Sequence, residues 1–280
     1  MLQIHFESNQ QALRMMHIVS EQADHKQLLS NIQYEHSDTI FLIMEDHEMT
    51  SMLHMMHEVF VIFTRKELLP QWLLKMVREK FLFSDMEECT QIVDLALTMM
   101  QEDNEKNNAF WNNLELRIFH GLVSIFERRI SFSLPSFLTF RMKGVLDSLL
   151  IFVEAAIDEY KMEQEYQSFI HTLRGYMLSI PAKMEHLHLF HEHHFQFYNA
   201  SFAEMKRDEI KRCIDRKLFS DYPMYIDSQV LAPLISIAPR HLWVYSEEEE
   251  APLIQTIIRI FEERVSILSH ECFSKHKVKM

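Results

Sequence analysis

Between Pro135 and Pro181 the chain runs through LPSFLTFRMKGVLDSLLIFVEAAIDEYKMEQEYQSFIHTLRGYMLSI (134–180) without another proline. Apolar residues recur at Leu138, Met142, Val145, Leu149, Phe152 and Ala156, then at Met162, Tyr166, Phe169, Leu173 and Tyr176. Steps of three and four place them on one face of a helix. A single rod of that length would span roughly 70 Å, so the spacing predicts two helices or a bend. Pro135 falls where a first helical turn tolerates it.

Helical patterning extends upstream. Met52, Met55, Met56, Val59, Ile62 and Phe63 share a face ending near Pro70, and Trp72, Leu73, Met76 and Val77 continue beyond it. Asp85 to Met100 forms a third segment that stops at the polar run QEDNEKNN. Phe110 to Ile130 forms a fourth. Such segments shield one another's stripes in a bundle. Before them, Leu2, Ile4 and Phe6 alternate like a strand, Asn9 to Ala23 reads as a helix, and Asn31 to His36 and Thr39 to Met44 as strands. After Pro181, Glu185–Phe190 and His194–Tyr198 predict a hairpin, and Phe202 to Phe219 a charged helix. Tyr222 to Pro239 is expected to be partly helical and interrupted by Pro233. His241–Tyr245, Pro252–Glu262 and Arg264–Leu268 predict strand, helix and parallel strand. Acidic Glu247 to Glu250 are expected at the start of that helix, where its dipole favours them.

The fold class expected is α+β, predominantly helical. A central helical bundle (47–180) is flanked by a small N-terminal α/β module (1–46) and a small C-terminal α+β module (181–280), the whole close to one continuous unit.

Composition excludes several functions. The chain's 280 residues contain only three glycines, Gly121, Gly144 and Gly175. Dinucleotide fingerprints, P-loops and nucleophile elbows all need closely spaced glycines. A net charge of −13 argues against a general nucleic-acid binder, whose affinity comes from Lys and Arg on phosphates. Cys89, Cys213 and Cys272 have no paired spacing, which fits a reducing cytosol. No signal-peptide pattern or stretch of about 20 uncharged apolar residues occurs, so a soluble cytoplasmic protein without a membrane span is expected.

Candidate sites are few. His186, His188, His191, His193 and His194 form the densest imidazole cluster, and neutral imidazole ligates divalent zinc, copper or nickel. His186 and His188 share one side of a strand, but the spacing matches no defined zinc motif, so a solvated hairpin face is the preferred reading and no cofactor is expected. A divalent metal there is the one cofactor this pattern allows. His47, His54 and His57 sit in a Met-rich stretch better explained by adaptable packing. Lys206, Arg207, Lys211 and Arg212, with Arg216 and Lys217, make a basic run. Asp208–Arg212 and Lys211–Asp215 pairs would make it a salt-bridged solvent face. Otherwise it is a docking patch for an acidic partner or nucleic acid. Charges on the long helix (Arg141, Lys143, Glu154, Asp158, Glu159, Glu163, Glu165) read as solubilising surface. Tyr160, Tyr166, Phe169 and Tyr176 read as core, with a binding surface as the alternative.

The segments FLTFRMK (137–143), AAIDEYKMEQEYQSFIHTLRGYM (155–177), LISIAP (234–239) and RIFEERVSI (259–267), in that order and separation, resemble the YtxC-like family of sporulation proteins from endospore-forming bacilli. The likeness runs from about Leu116 to Cys272. It implies a cytoplasmic protein associated with sporulation and brings no catalytic residues with it. The leading expectation is a non-enzymatic interaction or regulatory protein with an unidentified protein partner. A metal- or ligand-binding enzyme using the histidine-rich hairpin is the second reading, and a nucleic-acid-associated protein the third.

Overall fold

The computed structural model describes residues 1–21, 26–34, 38–215, 227 and 229–278. The chain folds as two compact units, Met1–Met162 and Glu163–Met280. The division falls inside the long helix, not at residues 46 and 180 where the sequence suggested module boundaries.

The first unit opens with β1 (Leu2–His5), α1 (Asn9–Glu21), the short α2 (Lys26–Leu29), β2 (Ile32–Tyr34) and β3 (Thr39–Leu42). This is the β-α-β-β order expected. The sheet runs β2-β3-β1-β4, with β1 and β2 antiparallel to β3. Leu2 faces Leu42 and Ile4 faces Ile40 across the ladder, so alternation sends these side chains to the buried face. The fourth strand, β4 (Phe132–Ser133), lies parallel to β1 and arrives from beyond the helices. Its two residues carry no period that sequence reading can detect. Sheet and helices share one core, in which Leu2, Ile4, Met15, Met52, Phe60, Leu122 and Leu149 belong to the same cluster. That shared core is why residues 1–46 do not stand apart.

The helices are α3 (Met49–Phe63), α4 (Leu69–Glu79), α5 (Met86–Gln101), α6 (Glu105–Arg128), α7 (Leu134–Arg141) and α8 (Lys143–Ser179). Pro70 does not separate α3 from α4. A π-helical turn, Thr64–Leu68, precedes it, and the Leu69 N–H bonds back to the Thr64 carbonyl. The wider turn carries the chain past a residue that has no N–H to donate. Met52, Met55 and Met56 are fully buried, so the Met-rich stretch is core packing. His57 Nε2 sits 3.2 Å from the Glu115 carbonyl and His54 lies against the Phe119 ring.

The polar run QEDNEKNN is a tight corner whose second half begins α6. Asn104 accepts from the Asn107 N–H at 2.9 Å. Buried Asn107 donates to the Met99 and Glu102 carbonyls at 2.6 and 2.8 Å, and Trp111 Nε1 reaches the Met100 carbonyl at 3.0 Å. Side chains at the start of α6 thus satisfy the last carbonyls of α5 as well as one of α6's own first amides. Asp85 caps α5, accepting from the Glu87 and Glu88 amides at 2.9 and 3.0 Å.

The expected break in the long helical run lies at Met142, between α7 and α8. Met142, Val145, Leu149, Phe152 and Ala156 are buried as their spacing predicted. Beyond Met162, itself 63% exposed, the buried stripe is Ile170, Leu173 and Met177, with Tyr166, Phe169 and Tyr176 half-buried beside it. Tyr160 is buried in the first unit and meets Phe83 edge-on. These aromatics are predominantly packing residues. The charged residues of this stretch, from Arg141 to Glu165, are exposed.

The second unit contains the end of α8, β5 (His186–His191), β6 (Phe195–Tyr198), α9 (Arg207–Cys213), α10 (Leu231–Ile237), β7 (His241–Tyr245), α11 (Pro252–Phe261), β8 (Val265–Leu268) and α12 (His270–Val278). The sheet order is β6-β5-β7-β8, with β5 and β6 antiparallel and the other neighbours parallel. The hairpin and the parallel strand–helix–strand agree with the sequence. Among the described residues the helix expected over Phe202–Phe219 is α9; residues 216–219 lie outside those described, as do 222–226 and 228 of the next segment. Pro233 sits in the first turn of α10 and does not interrupt it. Glu247–Glu250 precede α11, whose first turn has no acidic residue. Glu247 instead accepts from the His270 N–H at 2.9 Å, at the start of α12. No described helix is long and apolar enough to cross a membrane.

Two helix glycines separate packing from propensity. A Cβ on Gly121 would stand 2.7 Å from the ring of buried Phe137, whereas one on Gly175 in α8 meets nothing within 4 Å. Alanine at Gly175 is expected to stabilise by about 1 kcal/mol through helix propensity. Gly121→Ala is expected to lower stability, because the clash exceeds the same gain. Urea denaturation of the two variants checks the opposite signs.

Candidate functional site

Chemistry-bearing side chains concentrate on one face of the C-terminal sheet. Alternation in β5 puts Leu187 and Leu189 on one side and His186, His188 and Phe190 on the other. In β7 it separates Leu242 and Val244 from His241, Trp243 and Tyr245. Parallel register aligns the two sets, pairing His186 with His241, His188 with Trp243 and Phe190 with Tyr245. The leucine face joins the core formed with α8, α10 and α11. The opposite face is packed by Tyr198, Phe202 and Phe273 around fully buried Tyr245.

At its centre His188, only 5% exposed, places Nδ1 3.0 Å from the Tyr245 hydroxyl. The same hydroxyl lies 3.1 Å from His276 Nδ1 on α12. A phenol has one proton, so it donates to one imidazole and accepts an N–H from the other. The chain is complete only with complementary tautomers. Phe202 stacks on His188 at 4.1 Å between centroids and holds φ at 53°, a left-handed conformation uncommon for a bulky side chain. The turn around Asn199 supports it, the Asn199 side chain accepting from the Ser201 and Ala203 amides at 3.0 and 3.1 Å.

Burial, followed by the imidazoles of His186, His276 and His241, lowers the His188 pKa to about 4. Burial, then Cys272, pushes the Tyr245 phenol up to about 12. Burial also lowers His241, whose Nε2 meets Ser266 Oγ at 3.2 Å. Both central groups therefore stay neutral near pH 7. Among the described residues no buried side-chain N or O atom lacks a hydrogen-bond partner. The cluster is internally satisfied.

The five hairpin histidines diverge. His188 is enclosed, His186 is exposed beside His241 at 6.5 Å between ring centroids, and His191 Nδ1 meets Ser246 Oγ at 3.0 Å. His193 and His194 are exposed in the turn, His194 against Gln196. Among the described residues no group of three His, Cys, Asp or Glu side chains is placed to hold a metal ion. Sequence reading found His186 and His188 on one side of a strand, as they are. It missed His241, Tyr245 and His276. The alternation in HLWVY was visible, but not the partner strand or the helix that bring these residues to His188.

The basic run is organised differently from expectation. Lys206, Arg207, Lys211 and Arg212 are all exposed on or beside α9. Glu209 is turned back to accept from the Lys206 backbone N–H at 3.0 Å. Asp215 accepts from the Tyr176 hydroxyl at 2.6 Å. Neither Asp208–Arg212 nor Lys211–Asp215 forms, and among the described residues none of the four cations is in an ion pair. Arg216 and Lys217 lie outside the described residues.

Fold and site together define a predominantly helical α+β protein whose histidine-rich sheet face is folded in on itself. The chain belongs to the YtxC-like family, whose profile matches residues 54–266. It is 32% identical to the uncharacterised protein YtxC of Bacillus subtilis (strain 168), over 99% of this chain and 98% of that one. No solved structure matches it.

Replacing Tyr245 by Phe keeps the ring and removes the hydroxyl between the two imidazoles. A buried His188 nitrogen left without a partner is expected to cost about 2 kcal/mol. Ser266→Ala, which removes only the hydroxyl beside half-exposed His241, is expected to cost less than about 1 kcal/mol. Chemical denaturation of both variants measures the difference.

Proposed function

We propose that this chain is a non-enzymatic interaction protein of the spore-forming cell, and that it docks an acidic protein partner on the basic face of α9. The observation that carries this reading is the set of four exposed cations, Lys206, Arg207, Lys211 and Arg212, none in an ion pair among the described residues. Of the nearby carboxylates, Glu209 accepts from a backbone amide and Asp215 from Tyr176, and exposed Asp208 forms no ion pair with any of the four among the described residues. Uncompensated surface charge raises encounter rates with a complementary surface and repels like-charged ones. The acidic balance of the whole chain, −13, favours an acidic protein over nucleic acid, because a phosphate polymer would meet that field over a far larger area.

Two further features support the absence of chemistry in this reading. The buried imidazoles and phenol are satisfied by one another, and the carboxylates of α8 are solvated. A catalytic base needs an accessible proton-accepting atom with a pKa near the working pH. His188 has neither. The sporulation context rests on the likeness to the family.

The test is capture of partners by the tagged full-length chain from sporulating cells, with and without Lys206→Gln, Arg207→Gln, Lys211→Gln and Arg212→Gln combined. The substituted chain is expected to retain wild-type stability within about 0.5 kcal/mol, since all four side chains are exposed. It is expected to lose at least about tenfold in partner recovery and in the salt sensitivity of binding. An unchanged set of partners sinks the docking reading. Normal sporulation frequency in a deletion strain sinks the cellular one.

A further inference from the structure

On the C-terminal sheet, four imidazoles surround one indole and one phenol. His186 and His188 come from β5, His241 from β7 and His276 from α12. The His241 ring lies 4.4 Å from Trp243, His276 lies 5.8 Å from it, and His188 stacks parallel to it at 6.5 Å. α12 lies on this face through His270, Phe273 and His276, with Cys272 and Lys277 beside them. His270 Nε2 donates to the His191 carbonyl at 2.7 Å. Phe273 meets Phe190, Tyr198 and Tyr245 at 4.9 to 5.0 Å between centroids. His276 shares the Tyr245 hydroxyl with His188.

We propose that α12 is an acid-released strap: protonation of the imidazoles on either side of its contact with the sheet lifts the helix and uncovers the aromatic face beneath. This is separate from docking on α9 and stands without it. His270 donates to a carbonyl in either protonation state, so the sensitivity lies at the His188–Tyr245–His276 chain. With both imidazoles protonated, both nitrogens donate to one hydroxyl, whose own proton then has no acceptor. Two positive charges also face each other across a phenol in a largely apolar site.

The surrounding charges do not offset this. From β5 the cluster is faced by His186, from β7 by His241 and Tyr245, and from β8 by the neutral Ser266, while His191 points to the other side and meets Ser246. On α12, Cys272 faces Tyr245, Lys275 is paired with Glu271, and the Lys277 ammonium stands 5.8 Å over the Tyr198 and Phe273 rings. The carboxylates at hand are Glu204, which acts on Tyr198, and Glu247, which accepts from the His270 backbone. The charges that act on His188 are imidazoles.

The sign follows from proton binding. Closed, His188 holds its pKa near 4; lifting α12 removes His276 and part of the burial and so moves it back toward 6.5, while Phe202, His186 and His241 stay beside it. The open form binds more protons between those values. Closure is therefore at full strength above pH 6.5 and weakens as pH falls toward 4. At pH 5 a complete return to 6.5 would shift the opening equilibrium on the order of 30-fold, which is the ceiling for this one group.

Amide hydrogen exchange of the full chain between pH 7.5 and pH 5, corrected for intrinsic rates, tests the proposal. Protection of residues 270–278 is expected to fall severalfold at pH 5, by no more than about 30-fold, while α3 keeps its protection. In a chain carrying His188→Phe and His276→Phe the protection of α12 is expected to stay level with pH. Three results overturn the strap: constant protection of α12 in the wild type, loss of protection in α12 and α3 together, or an equal fall in the substituted chain. The wild-type measurement decides alone should that chain fail to fold.

Discussion

Parallel pairing of β5 with β7 governs the chemistry available to the C-terminal unit. Because side chains alternate with a period of two, one register fixes the destination of every residue in both strands. Leucines and valine gather under α10 and α11, while two histidines from β5 meet His241, Trp243 and Tyr245 on the other side. A slip of one residue would send His188 into the aliphatic core and bring Leu187 and Leu189 to the aromatic face. The aliphatic face, with Leu187, Leu189, Leu242 and Val244 all fully buried, makes that slip costly. The polar chain is thus positioned by hydrophobic sorting and then held by its own hydrogen bonds.

Buried polar groups ordinarily cost stability unless every member is paired. Here pairing depends on a helix that the sequence hardly announces. HECFSKHKV has few apolar residues, and its helical face is Phe273 with two histidines. The segment is helical because tertiary contacts complete it, with Glu247 at its first amide and Phe273 in an aromatic pocket. A polar sequence docked on an aromatic sheet gives a contact sensitive to protonation, where a leucine-rich helix would be indifferent to it.

Elements with a strong local period were legible in the sequence: β1, α1, α3 to α8, the hairpin, and the parallel pair flanking α11. What sequence left out was set by distant partners. β4 is two residues that become a strand only beside β1. Pro70 and Pro233 resembled breaks, but a π turn accommodates the first and a first-turn position the second. The candidate site was half legible. His186 and His188 were singled out with the right facing, yet their environment depends on β7 and α12. Tyr245 stands 57 residues along the chain from His188, and His276 a further 31 beyond it. The cations of α9 were visible too, but the commitment of Glu209 and Asp215 to neutral donors was not, and it leaves the four cations outside ion pairs among the described residues.

Glycine scarcity, which excluded the phosphate-binding folds, also shapes the backbone. No glycine occupies a positive φ among the described residues, and that work falls to Leu82, Arg129, Phe202, Ala238 and Glu262. A left-handed conformation costs an L-residue roughly 1–2 kcal/mol. Three of these residues, Arg129, Ala238 and Glu262, end helices. Arg129 ends α6 with its N–H on the Ile125 and Phe126 carbonyls, and fully buried Ala238 ends α10 against the Leu234 carbonyl. Phe202 closes no helix, and its strained backbone instead delivers a ring onto His188. Strain that serves to desolvate one imidazole also makes that imidazole hard to protonate while the site is closed. The same contact that stabilises the neutral cluster therefore sets how strongly acid opposes it.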